Sequence, residues 1–203
     1  MNKYKKNNVT KLIIKKYIIY ILMIFAMFLI SNCSNKSKDI SISNIDSTLI
    51  GKTVIENQLG IKYNPPLKWL SANAGLHRPP DRKTKYGVAT FAPVNLFYNA
   101  GNKAVLNIGE IIPQHSNSKF DLEKYIYQSS KKFEAGKIER DKFSNNNIDF
   151  IRFRINYGVW FTYRLVFKNK NGKYIQFDYS LQSKIKNIEM PSIVSSIGSI
   201  QLL

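Results

Sequence analysis

The sequence predicts an α+β domain, an antiparallel β-sheet with helices packed on it. Three segments after residue 148 alternate apolar and polar side chains, which is the period of strands with one buried face. Two other segments, one before and one after these strands, space their apolar residues as helices do. Strands, a helix, a run of strands and a second helix follow one another in the order expected when helices cover an antiparallel sheet.

The first part of the domain is predicted to contain two short strands and a long loop. Thr53–Gln58 and Ile61–Tyr63 have the composition of strands, and the pair Pro65-Pro66 prevents the second strand from continuing. Residues 71–87 hold two glycines, a Pro-Pro pair and four basic residues without an apolar period. We therefore expect a long loop over that stretch.

A hairpin and a helix are predicted next. Val88–Tyr98 and Ala104–Ile112 are apolar runs joined by "NAGNK", which predicts a hairpin with Gly101 at positive φ. The following helix is predicted to begin after the capping residue Ser118 and to end at Gly136. Its predicted buried face comprises Leu122, Tyr125, Ile126, Ser129 and Phe133.

A four-stranded antiparallel meander is predicted from residue 137 onward. Its first strand is Lys137–Phe143, which turns at "SNNN", and "KNKNGK" predicts a tight turn between the last two strands. The apolar positions of the second, third and fourth strands are Ile151, Phe153, Ile155 and Tyr157, then Phe161, Tyr163, Leu165 and Phe167, then Ile175, Phe177, Tyr179 and Leu181. Pro191 predicts the first turn of a second helix, and Ser199–Leu203 a last strand.

The chain begins with a basic segment followed by a short apolar run. Six lysines and no acidic residue precede fourteen uncharged, almost wholly apolar residues, Tyr17–Ile30. As a helix this run is roughly 21 Å long at about 1.5 Å per residue, which is shorter than the hydrocarbon core of about 30 Å. A secretory signal peptide is therefore favoured over a transmembrane helix.

The chain's single cysteine follows this run in Leu29-Ile30-Ser31-Asn32-Cys33, which resembles the lipobox of bacterial lipoproteins. The resemblance implies that a diacylglyceryl group is attached to Cys33, that cleavage occurs just before it, and that fatty acyl chains such as palmitate then hold the protein on a membrane. Asn32 departs from the usual small residue at its position, as in the relaxed motifs of spirochaetes. The alternatives are an uncleaved signal anchor with an incidental cysteine and a catalytic thiol, although no neighbouring base or cation activates that thiol.

These features divide the chain into a signal peptide at 1–32, the lipidated cysteine and a flexible tether at 33–52, and a single domain at 53–203. The prediction includes packing of the last few residues of the tether on the domain. Because six of the 31 basic and none of the 13 acidic residues precede Cys33, the remaining chain keeps a net charge of +12.

That charge favours anionic partners. For an exported protein these are lipid headgroups, an anionic envelope polymer or an acidic envelope protein, and we expect no nucleic acid. Lysines scattered for solubility explain the same charge equally well. The expected location is the bacterial cell envelope, with the outer membrane or cell surface favoured because Ser34 differs from the Asp that retains some lipoproteins at an inner membrane.

The residue types that usually carry catalysis or metals are sparse. The two histidines, His77 and His115, lie in predicted loops, and there is no Gly-x-Ser-x-Gly elbow, paired zinc histidine or Asp-rich calcium loop. The acids Glu134, Glu139 and Asp141 are interleaved with Lys137, Arg140 and Lys142, so we expect a solvated charged surface. We predict no enzyme, no cofactor and no metal, while carboxylates brought together from distant segments, as in glycosidases, stay an open alternative.

Two surfaces are candidates for binding. By alternation Trp160 and Tyr174 lie opposite the apolar positions of their strands. If no helix covers that side, they form an exposed aromatic patch beside Arg152, Arg154 and Arg164, of the composition enriched at partner surfaces. If a helix covers it, they belong to the rim of the core.

The second candidate surface is the loop at residues 76–86, because long loops on small domains are often functional. Its candidate binding residues are His77, Arg78, Arg82 and Lys83. A solvated loop without a binding role is the alternative.

Three features of the domain match a known family: "GIKYNPPLKW" at residues 60–69, the helix before the meander, and the ending "PSIVSSIGSIQLL". In these features the domain resembles the Mog1/PsbP-like family. The resemblance implies an α-β-α sandwich over roughly residues 53–203, in a family whose members are mostly accessory or binding proteins.

Three functions follow as hypotheses from these observations. The first is a lipid-anchored envelope protein with a non-catalytic binding or accessory domain. The second is an envelope hydrolase acting on glycan or peptide through carboxylates that spacing does not reveal. The third is a purely structural or antigenic surface lipoprotein.

Overall fold

A large antiparallel sheet forms the centre of the computed structural model, which describes residues 45–72, 84–114, 120–131 and 136–203. In spatial order its strands are β3 (Leu70–Ser71), β5 (Ala89–Asn99), β6 (Ala104–Pro113), β10 (Tyr174–Gln182), β9 (Trp160–Lys168), β8 (Ile148–Tyr157) and β7 (Lys137–Asn145), with β4 (Thr84–Tyr86) also paired to β5. A smaller sheet has the order β1 (Val54–Glu56), β2 (Ile61–Tyr63) and β11 (Gln201–Leu202). The described residues also contain helices α1 (Leu122–Lys131) and α2 (Lys186–Gly198) and short 3-10 turns at Ser47–Leu49 and Ser183–Ile185.

One helix lies on each side of the larger sheet. Helix α2 and the smaller sheet cover one side, and the core there includes Tyr63, Phe150, Phe177, Ile193 and Ile197. Helix α1 covers the other side, where Phe91, Ile111, Tyr125, Phe153 and Val166 are buried together. We call these sides the α2 face and the α1 face, and the predicted α+β architecture with helices on an antiparallel sheet is confirmed.

The meander from β7 to β10 is confirmed as four consecutive antiparallel neighbours. Asn146 and Asn147 connect β7 to β8 with φ values of 51° and 61°, the left-handed pair that a two-residue hairpin turn requires. Between β9 and β10, Gly172 has φ 75°. The asparagines and the glycine of these turns explain why the sequence predicted both correctly.

The hairpin of β5 and β6 is also confirmed, but the predicted role of Gly101 is wrong. Lys103 adopts the positive φ of 60° instead. Its amide and that of Asn102 both donate to the Asn99 carbonyl oxygen, at 2.9 and 3.4 Å. A turn followed by one left-handed residue is a common way to close a hairpin loop of this length.

Three other predictions need correction. The predicted loop at 71–87 contains strand β4, which pairs with β5, while residues 73–83 lie outside the described residues. Asp121 caps helix α1 by accepting a hydrogen bond from the Lys124 amide at 2.9 Å, and Ser118 lies outside the described residues. Helix α2 begins at Lys186, so Pro191 lies within the helix rather than in its first turn.

The apolar sides of β8 and β9 lie on opposite faces of the sheet. Phe153 is the register partner of Arg164, and Arg152 that of Leu165. Arg152 and Arg154 therefore lie on the α2 face and Arg164 on the α1 face, so the predicted grouping of the three arginines is wrong. The physical reason is that both faces are covered, so each strand has apolar partners on either side.

The folded domain begins near Asp46, within the stretch predicted to be a tether. The Asp46 amide donates to Ser195 Oγ at 3.2 Å, and the Gly51 amide donates to the Pro65 carbonyl oxygen at 2.7 Å. The last residues of that stretch thus pack on the domain. All described residues belong to one unit, Ser41–Leu203, and among them no helix is long and apolar enough to span a bilayer.

Candidate functional site

A cleft of about 310 Å³ opens on the α1 face beside the last turn of helix α1. Ser130 of α1 forms one side, and strands β4, β5, β6, β8, β9 and β10 form the rest of the wall. Its polar wall residues are Asn107, Ser130, Thr162, Arg164, Gln176, Asp178 and Ser180. Apart from Ser130, they come from the alternate positions of neighbouring strands that point toward the helix, and the antiparallel register brings them together.

The charged groups of this wall are bound to each other. Arg164 Nε and Nη2 donate to the two carboxylate oxygens of Asp178 at 2.7 and 2.8 Å, and Arg164 Nη1 donates to Ser129 Oγ at 2.6 Å. Burial by itself lowers the pKa of Arg164, but the Asp178 carboxylate outweighs it and the pKa is raised. The guanidinium therefore stays charged, and the pair contributes no net charge to the cleft.

Two neutral side chains extend this network beneath helix α1. Gln176 Nε2 donates to Asp178 Oδ2 at 2.9 Å, and the Tyr125 hydroxyl donates to Gln176 Oε1 at 2.9 Å. Burial raises the pKa of Tyr125 even though the positive charge of Arg164 acts in the opposite direction. Tyr125 is thus a neutral donor, and the network from helix to sheet is hydrogen-bonded at each of these groups.

A row of hydroxyl groups forms another part of the wall. The hydroxyls of Tyr157 and Thr162 are 2.7 Å apart, and those of Thr162 and Ser180 are 2.8 Å apart. Either oxygen of each pair can act as the donor. This row can therefore present donors or acceptors to a ligand according to how the hydroxyl hydrogens rotate.

Two buried polar atoms of the cleft wall have no hydrogen-bond partner among the residues that the structure describes. They are Asn107 Oδ1 and Ser130 Oγ, and the Ser130 residue is only 2 % exposed. Buried polar atoms are hydrogen-bonded in the great majority of cases, because leaving one unpaired costs about 1–3 kcal/mol. Two such atoms in one cleft mark it as the strongest candidate site in the described part of the chain.

A larger groove of about 1240 Å³ lies between the start of helix α1 and the β7–β8 hairpin. Phe120 and Tyr174 pack there with ring centroids 4.8 Å apart, and Lys168 Nζ lies 4.7 Å from the centroid of the Tyr174 ring. Its charged residues are Asp121, Glu123 and Asp149 against Arg140, Lys142 and Lys168. With three charges of each sign, this groove has no excess of positive charge to attract an anionic polymer.

The two predicted aromatic residues are far apart. Tyr174 is the first residue of β10 and lines the larger groove, whereas Trp160 pairs with Gln182 at the other end of β10. Eight residues of strand separate these ends, which is roughly 26 Å. Both side chains are half-buried, and they do not form one patch.

The other predicted site residues lie outside the described residues. They are Cys33, His77, Arg78, Arg82 and Lys83. His115 and Glu134 lie outside them as well. The predicted lipid anchor and the predicted basic loop therefore stay predictions.

The predicted acid cluster of β7 is a row of ion pairs on the α2 face. Asp141 binds the guanidinium of Arg152, and Glu139 lies 2.6 Å from Lys137 Nζ and 3.1 Å from Arg154 Nε. The hydrogen bond from Lys137 lowers the pKa of Glu139. Within the described ranges no three histidine, cysteine, aspartate or glutamate side chains are grouped so that they could hold a metal ion.

Sequence reasoning missed the cleft itself. Arg164 and Asp178 are direct register partners on β9 and β10, and opposite charges at polar positions of adjacent strands are a recognisable pattern once the strands are aligned. Asn107 and Ser130 carry no such pattern, because a single polar residue in a strand or helix usually faces solvent. Only the three-dimensional packing shows that they are buried together.

Comparison with known proteins gives little further guidance. No protein-family model matches the chain, and no curated protein is similar to it in sequence. Among solved structures, the chain is similar to the solution structure of cyanobacterial PsbP (CyanoP) from Synechocystis sp. PCC 6803, with 13 % identity and a TM-score of 0.48. The match covers 75 % of this chain and 92 % of that one, and membership of the PsbP family stays a prediction.

Proposed function

We propose that this protein is a lipid-anchored protein of the bacterial cell envelope whose domain binds a ligand in the α1-face cleft without changing it chemically. The observation that carries the binding role is a pair of buried atoms in the wall of one cleft, Asn107 Oδ1 and Ser130 Oγ, that have no hydrogen-bond partner among the described residues. A ligand that hydrogen-bonds to both would remove the cost of burying them unpaired.

The state of the charged wall groups supports binding rather than catalysis. General acid–base catalysis needs a group that exchanges a proton near the working pH. The raised pKa of Arg164 keeps it protonated, and Asp178 accepts hydrogen bonds from both Arg164 and Gln176. Arg164 therefore stays protonated, and the hydrogen bonds between these side chains hold the wall in place.

The proposed anchor rests on the sequence before the domain. The basic segment, the apolar run Tyr17–Ile30 and the lipobox-like end at Cys33 support a lipidated N-terminus in the envelope. The net charge of +12 from Cys33 onward supports additional attraction to anionic lipid headgroups or envelope polymers near the membrane. Neither partner class involves nucleic acid.

Metabolic labelling with palmitate tests the anchor. We expect the chain to incorporate label and to fractionate with membranes, and Cys33→Ala to lose both properties. Because Cys33 is the only cysteine, no other thiol can take up the label. Labelling that persists in Cys33→Ala, or a mature chain that begins upstream of residue 33, would contradict the proposed anchor.

Site-directed photo-cross-linking in native envelopes tests the binding role. A small aliphatic residue that carries a diazirine, close in size to the valine it replaces, is placed at Val105 in the cleft wall and is expected to capture a discrete envelope component. The matched control is Ile188 on α2, which is 74 % exposed and lies away from the cleft. Equal capture at both positions would show that the cleft is not the binding site.

Hydrolysis of glycan or peptide is the second candidate, favoured by the three carboxylates of the larger groove. Asp121 caps helix α1, Glu123 pairs with Arg140 at 2.7 Å, and Asp149 accepts from Ser144 Oγ at 2.5 Å. Each already has a partner, whereas a glycosidase needs one carboxyl free to donate a proton. Cleavage of purified envelope glycan or peptide by the full chain, lost in Asp149→Asn, would support this candidate over the first.

A further inference from the structure

We infer that the α1-face cleft binds a small, neutral, polyhydroxylated molecule of about the size of one sugar ring. This assignment rests on the proposed binding function and adds the chemical class of the ligand. Three properties of the wall carry it: its charge balance, its pattern of hydrogen-bonding groups, and its size and aromatic surface.

The charge balance selects a ligand without net charge. Arg164 and Asp178 are the charged residues of the described wall, and two hydrogen bonds of 2.7 and 2.8 Å join them. An anionic ligand would have to compete with the Asp178 carboxylate for the guanidinium. A cationic ligand would have to compete with Arg164 for the carboxylate, and breaking a largely buried pair leaves one charge unpaired.

The hydrogen-bonding groups of the wall are of the kinds that a polyol matches. Asn107 Oδ1 needs a donor, and Ser130 Oγ can either donate or accept. Thr162 and Ser180 add the hydroxyl row described above. Because every hydroxyl of a sugar both donates and accepts, adjacent hydroxyls of one ring can serve these groups together.

The size and the apolar part of the wall favour a single ring over a chain. The volume of about 310 Å³ is at the lower end of the roughly 300–1,000 Å³ of small-molecule sites. Tyr86, Phe91 and Tyr157 also line the cleft. Aromatic rings offer flat apolar surfaces for the C–H face of a sugar ring, while the polar wall disfavours an acyl chain.

Calorimetric titration of the full chain in detergent tests the inference. The neutral probes are glucose, galactose and N-acetylglucosamine. Glucuronate and glucosamine share a pyranose ring with glucose but carry a negative and a positive charge, and inorganic phosphate is the small anion. We expect saturable binding of at least one neutral sugar, with the charged analogues binding at least roughly tenfold more weakly.

Variants locate the binding. Ser130→Ala and Asn107→Leu each remove one of the two buried atoms. Each should lower the affinity for the sugar roughly two- to tenfold, since about one hydrogen bond is lost. Val105→Trp should fill the cleft and abolish binding. The matched control is Ser192→Ala on helix α2, whose hydroxyl donates to the Glu189 carbonyl oxygen and which should bind as the parent chain does.

Three results would overturn the assignment. These are no heat from any neutral sugar, charged analogues that bind as tightly as glucose, and sugar binding that Ser130→Ala and Val105→Trp leave unchanged. Palmitate labelling and cross-linking from Val105 are measured without any sugar. If they succeed while the titrations fail, the sugar class is wrong and the proposed anchored binding domain stands.

Discussion

The two faces of the central sheet differ in how they are packed. The α2 face is covered by a helix and a second sheet, and its aromatic rings pack closely, with Tyr63 and Phe177 at 5.3 Å and Phe150 and Phe167 at 4.9 Å between centroids. The α1 face has one helix, a smaller apolar core and a polar network that borders a cleft. From this difference we expect the α2 face to supply most of the stability, whereas the α1 face carries the polar cleft for which we propose a ligand.

The largest expected effect is the loss of a core isoleucine on the α2 face. Ile108 is fully buried there, and Ile155 is 2 % exposed on the α1 face beside the cleft. Replacing a buried isoleucine by alanine costs roughly 2–5 kcal/mol, depending on how well the cavity can collapse or fill. We expect Ile108→Ala near the upper end and Ile155→Ala near the lower end, because water in the cleft can replace part of the lost side chain.

Urea unfolding followed by circular dichroism measures this pair. The urea dependence of the unfolding free energy should be unchanged, so that the midpoints report stability alone. Equal losses in the two variants would show that the two faces contribute alike to stability.

The next effect concerns the ion pair that holds the cleft wall. Arg164→Met leaves the Asp178 carboxylate largely buried without its main partner, and we expect a loss of about 3 kcal/mol in the free energy of unfolding. The double variant Arg164→Met/Asp178→Leu removes both charges and should recover most of that loss. A double variant no more stable than Arg164→Met would indicate that the pair itself, rather than the unpaired charge, determines stability.

Gly109 tests whether the α1 face depends on the irregular pairing of β5. The register of β5 against β6 shifts between Pro93 and Asn95. A Cβ at Gly109 would overlap the Ala92 carbonyl oxygen and lie 2.8 Å from Pro93 Cα. Gly109→Ala should therefore cost about 1–3 kcal/mol.

Because Pro93 lines the cleft, Gly109→Ala should also lower the affinity of the cleft for a ligand. The control is Gly158→Ala, where a Cβ would meet nothing within 4 Å but would sit at φ +60°, so only local strain is added. If both variants bind the ligand as tightly as the parent chain, the irregular pairing of β5 does not affect the cleft.

How far the sequence predicts this fold depends on how local each feature is. The meander and its turns follow from alternation and from Asn146, Asn147 and Gly172, because these act within a few residues. The predicted start of α2 is wrong. Proline is common in the first turn of helices, but here the chain enters the helix earlier, through the turn Ser183–Ile185. The average preference of proline for the first turn does not show at which residue packing makes this particular helix begin.

The candidate site was less predictable than the fold, for a different reason. Alternation shows that Phe153 and Arg152 lie on opposite sides of β8 but not which helix each side meets. The prediction assumed that the apolar sides of all the meander strands face one core, and this assumption placed Arg152 and Arg154 beside Arg164. The positions of Asn107 and Ser130 depend on contacts between segments more than twenty residues apart, which no local period encodes.

The smallest effect separates two neighbouring serines of helix α1 that differ only in their partners. Ser129 Oγ accepts a hydrogen bond from Arg164 Nη1 at 2.6 Å, whereas Ser130 Oγ has no partner among the described residues. Ser129→Ala should cost about 1–2 kcal/mol because a charged donor loses its acceptor. Ser130→Ala removes a buried hydroxyl that gains nothing in the unliganded protein, so its stability should stay within about 0.5 kcal/mol of the parent or rise slightly. Thermal unfolding with and without the bound sugar then distinguishes the roles, since a ligand that uses Ser130 stabilises the parent chain more than it stabilises Ser130→Ala. Equal destabilisation by the two substitutions would mean that Ser130 serves the fold, and the cleft would lose one of the two buried atoms on which its proposed binding role rests.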